Sequence, residues 1–115
     1  MGTNSTDSVD YPDFAHPLAE KVEHGEVQRG VLLCGTGLGM SYAANRHHGV
    51  RAAVAWSPEV AQLAREHNDA NILVLPARCI SEDQGVEILR RWLNTPFAGG
   101  RHSRRVAKIE EGEGT

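Results

Sequence analysis

Cys34 closes the apolar run Val31-Leu32-Leu33 and opens the turn Gly35-Thr36-Gly37-Leu38-Gly39. Three glycines in that turn let the backbone approach a ligand closely and aim its N–H groups inward. A helix starting at Leu38 turns its positive end toward the same point. An anion, or an oxygen gaining negative charge, suits that field, which also favours the thiolate of Cys34. A structural glycine turn beside an inert thiol fits the same residues. His67, in Arg65-Glu66-His67-Asn68-Asp69, stands near the end of a helical stretch. It reads either as a satisfied core residue or as a general acid/base whose proton the helix C-terminus helps to hold.

The third group is Arg101-His102-Ser103-Arg104-Arg105, after Gly99-Gly100. Cations in the first turn of a helix oppose its macrodipole. Arg101 and Arg105 share a face at i, i+4, and a bound phosphate would account for both facts through bidentate contacts. A solvated charge run, or pairing with Glu110 and Glu111, would serve as well. Spacing disfavours the better-known phosphate loops. Met40 follows Gly39 where a Walker loop needs Lys, and the turn is G-x-G-x-G rather than G-x-G-x-x-G. Met40 also stands where a cysteine phosphatase would carry its Arg. The six histidines lack metal-ligand spacing, which argues against a zinc site.

The elements that must position these residues alternate. A helix is expected over 12–24, with Phe14, Leu18 and Val22 at helical spacing and Pro17 tolerated only in a first turn. Strands are expected at 29–34, 51–56 and 71–76. Helices are expected over 38–46, from Pro58 to Asn68-Asp69, over 82–94, and from Arg101 to Glu111. Ser57 with Pro58 and the box Ser81…Gln84 mark two helix starts. Val60, Leu63, Ala64 and His67 should share one face, and Val86, Leu89, Trp92 and Leu93 should face inward. Cys79, just past a strand, reads as a buried small hydrophobe. The alternation implies a parallel, doubly wound α/β sheet, though three strands are few for one.

The 115 residues suit one domain, with 1–10 as a mobile loop and 110–115 as a frayed tail. A net charge of −3 argues against general nucleic-acid binding. No apolar stretch is long enough for a membrane span, and the N-terminus is neither signal nor transit peptide. Two cysteines without a C-x-x-C suggest a reduced, cytoplasmic setting.

Four segments in order, CGTGLGMSYAAN (34–45), GVRAA (49–53), LAREHNDAN (63–71) and GGRHSRRV (99–106), resemble the type B ribose-5-phosphate isomerases (the RpiB/LacA/LacB sugar-phosphate isomerase family). Asp10-Tyr11-Pro12 also fits that family's D-Y-P segment, and the resemblance runs from about residue 2 to residue 109. It implies a Rossmann-like three-layer αβα fold and a homodimer with the active site between subunits. It implies aldose–ketose isomerisation of a phosphorylated sugar through an enediolate, without metal or cofactor. By position, Cys34 would be the base moving the proton between C1 and C2, and Thr36 and His67 would assist ring opening. The amides of Gly35, Gly37 and Gly39 would hold the enediolate oxygens. Asn68, with His67, would come from the partner subunit. Arg101 and Arg105 would bind the phosphate, with Arg78 a further candidate, and Tyr11 would line the sugar. Ribose 5-phosphate to ribulose 5-phosphate is the implied reaction. A galactose or allose 6-phosphate isomerase is an alternative, as is a phosphosugar-binding module with impaired catalysis. The chain departs from the family at its start. Members open with a strand ending in Asp-His, a helix and a second strand before the loop matching Gly2-Thr3. A domain truncated in this way should leave an exposed hydrophobic sheet edge beside strand 29–34 and weak or no activity.

Overall fold

The computed structural model of the chain describes residues 10–111. Short aliphatic runs form three strands, β1 (Gly30–Cys34), β2 (Ala52–Val54) and β3 (Ile72–Pro76), in one parallel sheet of order β1-β3-β2. Gly30 to Cys34 of β1 pair with Ile72 to Pro76, and Ala52 to Val54 of β2 pair with Ile72 to Val74. The central strand is buried on both faces, and its alternation splits the core. Ile72 and Val74 face a cluster with Leu32, Ala15, Leu18, Met40 and Ala44. Leu73 and Leu75 face another with Ala55, Ala61, Ile88 and Trp92. Helices α1 (Pro12–Glu23) and α2 (Leu38–Ala44) supply the first layer. Helices α3 (Pro58–Asn68) and α4 (Glu82–Leu93) supply the second, which makes a Rossmann-like three-layer αβα arrangement. The last helix, α5 (Arg101–Glu111), lies outside these layers against α3 and buries no residue of its own.

Local chemistry sets the helix boundaries. Ser57 caps α3 by accepting from the Val60 N–H at 3.2 Å, with Pro58 at the first helical position. Ser81 and Gln84 form the reciprocal capping box of α4, with bonds of 3.1 and 2.7 Å. Pro17 sits inside α1, not in its first turn as expected. The helix survives the missing N–H because Ala15, Leu18 and Ala19 are buried against the sheet and α2.

Several inward faces are rotated from their expected positions. On α3 the buried residues are Ala61, Ala64 and Arg65, while Leu63 is exposed, because small residues let α3 lie close to the sheet and α4. On α4, Ile88 and Trp92 take the inward arc, and Val86 and Leu93 are exposed. Val86 and Leu89 instead border an apolar groove of about 320 Å³ with Val31, Leu33, Leu75 and Ile80. That groove runs along β1, which is paired on one side only among the described residues, and Leu33 there is 58% exposed. Among the described residues, the apolar edge anticipated beside strand 29–34 is therefore uncovered. Cys79 is exposed rather than buried, because it lies in the turn after β3, where its N–H donates to Pro76 O. Glu110 and Glu111, expected in the frayed tail, belong to α5. The rest of that tail and residues 1–9 of the expected mobile loop lie outside the described residues.

Candidate active site

Two groups of candidate residues form, at opposite ends of the sheet. The first surrounds Cys34 at the C-terminal end of β1. The Cys34 carbonyl accepts from the Ala77 N–H at 2.7 Å and the Gly35 carbonyl from the Arg78 N–H at 2.9 Å. These bonds tie the loop after β3 to the glycine turn and lay the Arg78 side chain over Gly35, where an added Cβ would stand 3.1 Å from Nε. Gly37 then turns the chain into α2 with φ 82°, a left-handed value, and an added Cβ would meet Val74 and Val54 at 3.1 and 3.2 Å. Only glycine fits there without strain. The first intrahelical bond runs from the Ser41 N–H to Gly37 O, so the amides of Gly39 and Met40 lie ahead of the helical ladder. Tyr11, at the start of α1, lays its ring against Gly39, where a Cβ would come within 2.6 Å of Cζ. Thr36 is exposed, and its Oγ1 accepts from the Leu38 N–H at 3.4 Å. Cys34 itself is half-buried. Thiol, glycine-turn amides, Thr36, Tyr11 and a guanidinium thus converge on one end of the sheet.

The second group lies where α3 ends. This helix starts at the C-terminal side of β2 and returns to the N-terminal side of β3, so its last turn lies at the end of the sheet remote from Cys34. β3 alone is about 13 Å long. His67 is half-buried in that last turn, and Asn68 follows it, exposed. Asp69 takes the left-handed conformation that ends the helix, φ 50°, and holds the Arg65 guanidinium at 2.7 Å. Arg51 fixes the turn from below, donating through Nε to Asn68 O at 3.0 Å and Asp69 O at 3.2 Å. The Ala98 N–H donates to Glu66 O at 3.0 Å, and left-handed Gly99 and Gly100 then start α5 beside α3. Arg101 and Arg105 are exposed on its first turns, and among the described residues neither forms an ion pair. Glu110, considered as their partner, is engaged elsewhere: it takes Arg51 Nη1 at 2.6 Å and the Gly49 N–H at 2.9 Å.

Sequence reasoning missed His102. Its ring stacks on His67 with centroids 4.3 Å apart and planes 14° from parallel. The signal was available: His102, Val106 and Ile109 form a helical stripe in an otherwise charged segment. Its pKa is lowered from the ordinary value, first by burial and then by His67, Arg101 and Arg105, with Glu66 opposing. Among the described residues no three His, Cys, Asp or Glu side chains converge as metal ligands. Nor is any described helix long and apolar enough to cross a membrane.

A family model described as ribose/galactose isomerase matches residues 1–109. The chain belongs to the ribose/galactose isomerase family. The ribose-5-phosphate isomerase B of Escherichia coli is 44% identical over 108 residues, which are 94% of this chain and 72% of that protein. A solved ribose 5-phosphate isomerase from Thermotoga maritima is 55% identical, with a TM-score of 0.92 over 96% of this chain and 76% of its own. The Mycoplasma genitalium ribose-5-phosphate isomerase B, solved with bound ribulose 5-phosphate, is 42% identical with a TM-score of 0.92, over 97% and 75%. Sugar-phosphate isomerisation is the enzyme class of this ribose/galactose isomerase family member, and its chain spans about three quarters of those relatives.

Proposed function

We propose that the chain interconverts ribose 5-phosphate and ribulose 5-phosphate through an enediolate, with Cys34 as the base. The carrying observation is the half-buried Cys34 at the mouth of the glycine turn, with Arg78 over Gly35. In the open-chain aldose, the Cys34 thiolate takes the C2 proton. The C2–H electron pair becomes the C1–C2 double bond, and the C1 carbonyl pair moves onto O1. The amides of Gly35, Gly37 and Gly39 face the oxygens that gain this charge. The thiol then returns its proton to C1, and the O2 proton passes to O1 as C2 becomes the carbonyl. No redox partner is needed, because the proton moved and the electron pair stay within the substrate.

Ring opening needs a donor at the ring oxygen, a role for His67 and Thr36. Within one chain His67 and Cys34 stand at opposite ends of the sheet. We therefore assign each site to two subunits of a homodimer: Cys34, Thr36, Tyr11 and Arg78 from one, and His67, Asn68, Arg101 and Arg105 from the other. The phosphate then neutralises an arginine pair that forms no ion pair among the described residues. Relatives named for ribose 5-phosphate, one holding ribulose 5-phosphate, support this substrate over a hexose phosphate.

A coupled assay of the purified chain on ribose 5-phosphate, with galactose and allose 6-phosphates as comparison, tests the reading. Turnover on the pentose, lost in Cys34→Ser, is expected; turnover unchanged in Cys34→Ser would rule out the base. The apolar edge of β1, unpaired among the described residues, favours one second reading, a phosphosugar-binding module without turnover. Calorimetric binding of ribose 5-phosphate that Arg101→Ala abolishes, in a chain without turnover, would favour that reading instead.

A further inference from the structure

We propose that His102 is a positioning residue for His67: the stacked ring fixes the plane of that imidazole. The inference rests on the isomerase reading above. A histidine in the last turn of a helix ordinarily keeps a broad χ2 freedom. A proton donor for a ring oxygen must instead hold its N–H within about 1 Å of one direction. Parallel packing at 4.3 Å removes the ring rotation that would spoil this aim. His102 cannot readily swing away, since α5 is tied at both ends. Ala98 bonds to Glu66 before α5, and Glu110 near its end bonds to Arg51, which in turn holds the carbonyls of Asn68 and Asp69.

Electrostatics keeps His102 neutral more readily than an ordinary histidine. A charge on His102 is disfavoured in this stack. His102 lies at the positive end of α5, which also disfavours a charge on it. The charged groups around His102 are Arg101 and Arg105 on its own helix and Glu66 on α3, the element α5 packs against. The arginines and His67 disfavour a charge on His102, and Glu66 offsets them in part. His102 thus serves as a neutral platform against which the His67 ring is held.

Histidine ring NMR titrations of the full chain, with steady-state kinetics on ribose 5-phosphate, test this. His102 should titrate below the ordinary imidazole value and move up in His67→Phe. His102→Ala should lower kcat about tenfold to a hundredfold and leave KM within about twofold, with His102→Phe restoring kcat. A His102 titration indifferent to His67→Phe would overturn the proposal. So would an unchanged kcat in His102→Ala, a rise confined to KM, or a folded His102→Phe that fails to restore turnover. If His102→Ala does not fold, the titration and the kinetics of His102→Phe decide. An inactive wild-type chain would count against the isomerase reading, and the titration would still decide the pairing.

Discussion

A thiol is a useful base only where its surroundings accept charge and its position is fixed. On the proposed mechanism Cys34 relies on its neighbours for both: Arg78 lies over the next residue, and two backbone bonds clamp the turn to the loop after β3. Cys34→Ser should lower kcat at least about a hundredfold while calorimetric binding of ribose 5-phosphate persists. Gly37→Ala, forced to keep φ 82° against Val74 and Val54, should cost about 1–3 kcal/mol in urea unfolding and impair turnover with it. The sequence marked Cys34, the glycines, His67 and the arginine pair because their types and spacing are chemical signals. It did not mark Arg65, buried at 5% exposure in the core, or the bond of 2.7 Å between His16 and His47 that joins α1 to the residues after α2. Those residues have their meaning through partners 30 or so positions away, which no local pattern encodes.

At the scale of elements, boundaries were legible and orientations less so. Caps such as Ser57 and the Ser81–Gln84 box act within one turn, so the residues that stop and start a helix can be read directly. Which arc of α3 or α4 faces inward is set by the neighbouring helix and strand, so Leu63 and Val86 came out exposed. Arg65 shows the same dependence: it donates to Thr95 O at 3.2 Å and Ala70 O at 2.8 Å, knitting the end of α3 to the segment after α4. Arg65→Met should cost about 2–4 kcal/mol in denaturant unfolding, since it strands those carbonyls and removes the shorter of the two ion pairs of Asp69. The contact of α5 with α3 should depend on pH. His102 has a lowered pKa in the folded chain, so the unfolded chain takes up its proton first as pH falls. The stabilisation is present above the ordinary imidazole value and is lost as pH falls through the lowered one. The effect is small because the site is open to solvent. Urea midpoints measured between about pH 8 and about pH 5 should fall less in His102→Phe than in the wild type.

For the whole molecule, the informative fact is the separation of the two candidate groups. Strand direction is the observation behind the proposed shared site. In a parallel sheet, Cys34 ends a strand, while a returning helix must carry His67 to the other end. The edge beside β1 was expected from the family resemblance alone; the order β1-β3-β2 among the described residues depends on crossovers, which no local pattern encodes. The central claim is that each site draws Cys34 from one subunit and His67 from its partner. Co-expressing Cys34→Ser with His67→Ala, each inactive alone, tests this most directly. Random pairing makes half the dimers mixed, each with one intact site, so activity should recover to about a quarter of wild type. Mixed dimers isolated with two different tags that show no turnover above either parent would contradict the account.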